Sequence, residues 1–294
     1  MSERTKKNLR HLIPYLFLLP AFLMLIGILY PFGLGVFNSF TSYRLTRPIP
    51  DFIGLENWIE ILGSSDFWNS LWVTLRYTAI ILFIEIPLGL AVALMLNREV
   101  KGIIVFRSLI ILPLMIPPVV TALMWRTMMN PSRGILNYIL ISIGFNPLPW
   151  LSETSTALVS IALIDIWAFT PFVVLILLAA LQGFSREPYE AALVDGANDF
   201  QVFRFLTFPM ITPFLLLVTA FRAIDAFKVF DFIYATTQGG PVTSTMTLHV
   251  LSYLESFRWA NLSRGLVFAL FLWGMCYGIT MVLIRRWRQA TERL

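Results

Sequence analysis

Hydrophobic positions in this 294-residue chain gather into six long runs, separated by shorter polar stretches. The runs cover about Leu12–Phe37, Leu71–Leu96, Ile103–Trp125, Thr156–Leu181, Phe208–Phe232 and Gly265–Ile284. Each is long enough to cross a hydrocarbon layer of about 30 Å as a helix. The pattern therefore predicts an all-α integral membrane protein with six transmembrane helices. The first run exceeds a signal-peptide core and lacks a small-residue cleavage site, so it reads as a retained helix. Pro14, Pro20 and Pro31 should bend it, and Pro113, Pro117 and Pro118 lie inside the third run. Between the runs, residues 38–69 read as an extramembrane loop with Trp58, Trp68 and Trp72 near the interface. Asn97–Gly102 reads as a short polar turn, 128–155 as an outer loop, and 242–262 as partly helical.

One polar, helix-prone island, residues 182–207, interrupts the apolar pattern between the fourth and fifth runs. It predicts a helix, a sharp turn and a second helix. Ser185 is a suitable N-cap, because its hydroxyl can accept from an otherwise unpaired backbone N–H. Pro188 is tolerated in a first turn. Tyr189, Ala192, Leu193 and Gly196 recur at helical spacing along one small face. Gly196 sits where a left-handed residue would end the helix. Asp199 can cap the next helix, and Pro209 and Pro213 should kink the start of the fifth span. Two readings fit these residues. One is a helix resting on the membrane surface. The other is a short amphipathic helix offered to a partner's groove, with Glu190 placed for a partner arginine.

Ionisable residues inside the spans carry a second signal, since they are costly in a bilayer and face a polar interior. Asp165 is mid-span in the fourth run, beside Trp167 and Thr170. Arg222, Asp225, Lys228 and Asp231 follow one another at spacings of three in the fifth run, with alternating sign. On one continuous helix they would share roughly one face and pair along it. Arg222 would lie on the order of 20 Å beyond Phe208, in the outer half of the membrane. These groups fit either the polar wall of a translocation path or a charge ladder that pins helix packing. In the first case Trp167, Phe172 and Phe221 are available to stack on what passes. Glu85 is also mid-span, two residues before Pro87, and reads as a packing or subunit-contact residue.

Composition agrees with the pattern: 57% of residues are hydrophobic and 13% charged, with mean hydropathy +0.75. A soluble domain of this size cannot hide that much apolar surface. Cys276 is a lone cysteine, and His11 and His249 are far apart in sequence, so neither a disulfide framework nor a metal cluster is indicated. The net charge of +5 needs no nucleic acid, because basic residues flanking the spans account for it. The larger basic set includes Arg4, Lys6, Lys7, Arg10, Arg98, Lys101, Arg107, Arg186, Arg204, Arg285, Arg286, Arg288 and Arg293. That asymmetry should place both termini and the island on the cytoplasmic side of the membrane.

The run Glu190-Ala191-Ala192, then Asp195-Gly196-Ala197, then Phe203, Pro209 and Pro213 resembles the EAA motif of binding-protein-dependent ABC importer permeases. Lys228-Val-Phe-Asp231, Ala235-Thr-Thr-Gln-Gly-Gly-Pro241, Leu55-Glu-Asn-Trp58 and Gly134-Ile-Leu-Asn137 narrow the resemblance. So does Ile166-Trp167 leading to Pro171-Phe172. Together these look like the first of the two permeases in carbohydrate importers of the maltose and glycerol-3-phosphate kind. The resemblance implies the type I permease core, formed by helices two to six, and a cytoplasmic coupling helix that docks on an ATPase. It implies that Glu190 meets the ATPase, that Gly196 makes the turn, and that a sugar or sugar derivative is taken up by alternating access. It implies a second related permease, two ATPase subunits that bind ATP and Mg, and a periplasmic substrate-binding protein. No cofactor is expected in this chain. The expected division is 1–69 (tail, first helix and periplasmic loop), 70–286 (permease core, coupling loop at 186–208) and 287–294 (cytoplasmic tail).

No G-x-x-x-x-G-K-[S/T] occurs, so the chain should not hydrolyse ATP itself. An intramembrane enzyme using Asp165 or the helix-five charges is disfavoured by the absence of H-E-x-x-H and of a nucleophile elbow. An ion-coupled secondary transporter using Asp165 or Glu85 is disfavoured by six spans with no clear inverted repeat.

Overall fold

A computed structural model describes residues 3–47, 49–98 and 101–292, with side chains from Phe17 onward. The side chains of the basic cluster Arg4 to Arg10 and of His11 lie outside what is described, as do Arg293 and part of the 97–102 turn. The described chain is built from helices. Five are long and apolar enough to cross a membrane: α1 (Glu3–Ser39, apolar from Phe17), α3 (Ser65–Leu96), α7 (Ala157–Gln182), α10 (Phe208–Phe227) and α13 (Leu262–Thr291). Shorter helices are α2 (Glu56–Leu62), α4 (Ile103–Ile111), α5 (Pro118–Met128), α6 (Ile135–Ser142), α8 (Glu187–Val194), α9 (Asp199–Val202), α11 (Asp231–Thr236) and α12 (Leu248–Tyr253).

The third apolar run is not one straight span. α4 and α5 meet at 94°, through a 3₁₀ turn at Leu112–Met115 and the Pro117-Pro118 pair. Two consecutive prolines remove two backbone donors, and Pro118 holds Pro117 extended at ψ 139°. The helix therefore stops and restarts. The fifth span also departs from expectation, ending at Phe227 with Lys228 as its C-cap and restarting at Asp231. Arg222, Asp225, Lys228 and Asp231 consequently do not form a ladder on one helix. At its other end the fifth span is longer than predicted, because α9, a π-helical turn at Phe203–Thr207 and α10 run on as Asp199–Phe227. Pro209 cannot donate to the carbonyl one turn earlier, and the ladder widens there rather than breaking at Pro209 or Pro213. α3 begins at Ser65, where Ser64 accepts from Phe67 N at 3.3 Å, earlier than the Leu71 expected. α1 runs through Pro20 and Pro31 as a single helix.

Contacts divide the chain into two compact units, 1–63 with 252–270 and 64–251 with 271–294. In the first, Asn57 of α2 is buried and donates to the carbonyls of Ser39 (3.0 Å) and Thr41 (2.8 Å). Trp58 stacks on Phe40 at 6.2 Å. Thus Leu55-Glu-Asn-Trp58 ties the end of α1 to the loop. Arg264 holds Glu60 at 2.6 Å and approaches Glu255 at 3.6 Å. Burial raises the Glu255 carboxyl above its usual range, against the Arg264 charge, which lowers it.

The second unit is organised around α7. This helix buries 67% of its most apolar stretch, whereas that of α1 is wholly exposed. Val173, Val174, Leu177, Leu178 and Leu181 of α7 pack with Ala93 and Leu96 of α3 and with Ile211 and Val218 of α10. Lipid is as apolar as leucine, so such helices associate through close packing and polar contacts rather than expulsion of water. Gly89 supplies the close packing, since a Cβ there would collide with the Val173 side chain.

Candidate functional site

The polar island folds locally as its residues dictate. α8 starts with Pro188 in its first turn and with Glu187 and Glu190 near its positive end, where acidic groups are favourable. Gly196 adopts φ +77°. Its N–H donates to Leu193 O at 3.1 Å, and Ala197 N donates to Ala192 O at 2.9 Å. This is a Schellman closure, available at low cost because glycine has no Cβ to strain in the left-handed region. Asn198, not Asp199, caps the second helix. Its side chain accepts from Gln201 N while Gln201 Oε1 accepts from Asn198 N, both at 2.9 Å. Ser185 does not cap α8 either: the N-cap position is Arg186, whose side chain does not cap the helix.

The result is a short turn with an exposed outer surface. Glu190, Ala191, Asp195 and Gly196 are exposed, Ala192 and Ala197 half-buried. Leu193, Val194, Phe200 and Phe205 are exposed although apolar. A cavity of about 660 Å³ lies against this turn, lined by residues including Ala191, Ala192, Gly196, Ala197 and Phe205. An exposed apolar surface on a rigid helix–turn–helix suits docking into another protein.

The intramembrane charges form a second site, and it is closed to solvent. Arg222 of α10 is 1% exposed. Its Nε donates to Glu85 Oε1 at 2.9 Å and Oε2 at 3.0 Å, and its Nη2 to Asp165 Oδ1 at 2.5 Å. Tyr77 Oη donates to the other Asp165 oxygen at 2.7 Å. The guanidinium also lies over the Phe169 ring, 4.4 Å from its centroid. Tyr77 and Glu85 come from α3, Asp165 and Phe169 from α7, and Arg222 from α10. One guanidinium thus fastens three spans together, in the fork geometry that suits arginine.

Of the residues proposed above for a translocation path, Asp165 and Arg222 are brought together but turned inward. Asp225 remains half exposed, 3.8 Å from Arg222 Nη1, and connects the cluster to the surface. Phe221 is exposed and meets half-buried Phe172 edge-on at 6.4 Å. Trp167 is half-buried against Trp125 at 5.6 Å. Glu85 is a full partner of the cluster. Tyr77 escaped the sequence reading, although it lies two turns before Glu85 on the same stripe of α3. Among the described residues no grouping of His, Cys, Asp or Glu could hold a metal ion.

Comparison with known proteins places this architecture. Residues 85–290 match the family described as binding-protein-dependent transport system inner membrane component. The chain is 39% identical over 269 residues to a probable ABC transporter permease of Sinorhizobium fredii, covering 90% of this chain and 86% of the relative. It is 38% identical over 242 residues to the trehalose/maltose transport system permease MalF of Thermococcus litoralis, covering 81% of each. Its fold superposes on a chain of a bacterial ABC transporter that imports alginate, with a TM-score of 0.84. That superposition covers 98% of this chain and 99% of the other, at 23% identity. The chain belongs to the family of binding-protein-dependent transport system inner membrane components, the permeases of ABC transporters.

Proposed function

We propose that this chain is one of two permease subunits in an ATP-driven importer of a sugar or sugar derivative. Its likeness to a trehalose/maltose permease supports that substrate class. The partners are a second related permease, two ATPase subunits that bind ATP and Mg, and a substrate-binding protein on the outer side. The chain itself carries no cofactor. Both termini and the α8–α9 turn face the cytoplasm, on the side with the larger set of basic residues.

The observation that carries this reading is the exposed, doubly capped turn from Glu187 to Val202, in a chain otherwise dominated by apolar helices. Glu190, Ala191, Ala192, Asp195, Gly196 and Ala197 form the ATPase-facing element. Closure of the ATPases displaces α8. The displacement reaches the spans through the unbroken Asp199–Phe227 helix. Arg222 on that helix holds Glu85 and Asp165, so α3, α7 and α10 move as one body against the second permease. The central path then opens to the other side, which is alternating access driven by a partner's energy. Phe221, Phe172, Trp167 and Asp225 form the path's wall. Asp165 and Arg222 hold Asp225 and that wall in place.

The test is uptake of labelled trehalose or maltose into proteoliposomes holding the full complex. Uptake should require both ATP and the loaded binding protein. Uptake driven by an ion gradient without ATP would overturn the proposal and restore the secondary-transporter alternative.

A further inference from the structure

A cavity of about 330 Å³ opens in the second unit, at the end remote from the α8–α9 turn. α7 runs from Ala157 to Gln182, so about 39 Å of helix separates the two ends. The cavity lies between the end of α5, the turn after it, Leu151-Ser152 ahead of α7, and the end of α11 with the segment to Pro241. Trp125, the neighbour of Arg126 in the lining, meets Trp167 of the proposed path wall at 5.6 Å. The cavity therefore adjoins that wall.

Three exposed side chains bring hydrogen-bond donors to its mouth: Arg126, Asn130 and Ser152. Arg126 Nη1 donates to Ala235 O at 3.3 Å, which orients the guanidinium and leaves further N–H groups for a ligand. Asn130 Oδ1 accepts from the backbone N–H groups of Ser132 and Arg133, each at 3.0 Å. Its Nδ2 therefore points away from that turn. Among the described residues no aspartate or glutamate lines the cavity, and Arg126 is its one formal charge. Met129, 1% exposed, closes the back, with apolar Leu151 and Pro241 in the lining beside it. A bare oxyanion would be met by donors converging on one point. These donors come from three separate segments, around an apolar back. A pyranose ring offers the matching combination, with oxygens around its edge and C–H groups on its face. The volume falls at the lower end of small-ligand pockets, about 300–1,000 Å³.

One wall of the cavity is held in an unfavourable backbone conformation. Gln238, Val242 and Thr243 adopt φ of 55°, 45° and 65°, a region that branched residues rarely enter. A set of hydrogen bonds keeps the segment there. Thr237 Oγ1 meets Thr245 Oγ1 at 2.7 Å, Thr245 Oγ1 donates to Gly240 O at 2.7 Å, and Gly240 N donates to Thr237 O at 3.0 Å. Strain maintained in this way marks a preformed, functional wall. We propose that the cavity is a subsite for one pyranose ring of the transported sugar at the outer entrance of the path. Arg126, Asn130 and Ser152 hold the ring's oxygens, and Met129 and Leu151 meet its C–H face. The assignment rests on the importer reading above and adds an entry point to it.

The experiment measures binding of methyl α-glucoside, a single pyranose ring, to the full permease–ATPase complex in nanodiscs without the binding protein. Saturation-transfer difference NMR supplies the readout. Arg126→Gln should lower the affinity about tenfold or more, because a charged donor is lost. Ser152→Ala should lower it about threefold, and it decides the matter if the arginine variant fails to assemble. Arg133→Gln removes a charge on the same turn but outside the lining, and should change nothing. Unaltered affinity in an assembled Arg126→Gln complex would overturn the assignment, as would an equal loss in Arg133→Gln. If only Ser152→Ala assembles, unaltered affinity there would overturn it too. So would a wild type that binds no glucoside, or full displacement of the glucoside by millimolar inorganic sulfate, which would mark an anion site. Failure of the subsite leaves ATP-dependent uptake by the wild-type complex intact. Failure of the importer reading abolishes that uptake whatever the glucoside does.

Discussion

The α8–α9 turn and the Arg222 cluster are opposites in every physical respect. The turn is exposed and local, and it is closed by backbone hydrogen bonds within twelve residues, Arg186 to Ala197. The cluster is buried and long-range, and it joins Arg222 to partners 137 and 57 residues away in sequence. Damage to the first should change what the protein communicates. Damage to the second should change whether its spans hold together. The division follows from the solvent. Water supports an exposed helix presented to a partner, whereas hydrocarbon leaves a buried charge no option but another charge.

The largest effect should come from Arg222→Met. It strands Glu85 and Asp165 without their cation, and breaking a buried pair on one side costs about 3–5 kcal/mol. Thermal unfolding of the detergent-purified protein should shift sharply downward. Arg222→Met with Glu85→Gln and Asp165→Asn removes charge from all three partners and should recover most of the loss. A single variant as stable as wild type would show that the cluster does not fasten the spans. Gly89→Ala comes next. Its new methyl must displace Val173, an overpacking expected to cost about 1–3 kcal/mol. Gly278→Ala, which meets nothing within 4 Å, is the matched control and should melt as wild type does.

The smallest effect on stability belongs to Gly196→Ala, which forces a Cβ into φ +77°. Its strain, roughly 1–2 kcal/mol, falls on an exposed turn and should leave global unfolding nearly unchanged. Hydrogen exchange at Gly196 and Ala197 should accelerate, because their amides close the helix. Global destabilisation equal to that of Gly89→Ala would erase the distinction between the two regions.

Much of this was legible in the sequence, and the limits are instructive. The spans followed from hydropathy, because length and apolarity alone specify a membrane helix. The turn at Gly196 followed from local rules, since a glycine after a short helix is a local signal. Capping was misplaced by one residue on each side, at Ser185 and Asp199. Several cap-competent residues stand together there, and only backbone geometry selects Asn198. The third span was read as continuous because hydropathy ignores direction, and the Pro117-Pro118 pair was the signal for a break. The end of the fifth span at Phe227 had no hydrophobic marker, as apolar residues continue to Phe232. The cluster itself was half visible. Three ionisable groups of mixed sign at membrane depth must find partners, but a single sequence does not say that Glu85, Asp165 and Arg222 choose one another. Tyr77 carried no charge to draw notice.

The central claim is that an exposed turn passes a partner's motion to a charge-fastened core. Binding-protein-stimulated ATP hydrolysis by the reconstituted complex tests it most directly, comparing wild type, Glu190→Ala and Gly196→Pro. Loss of stimulation in both variants, with wild-type melting of the permease, is the predicted result. Full stimulation in both would contradict the account, because the α8–α9 turn would then not be the element through which the ATPase and the spans communicate.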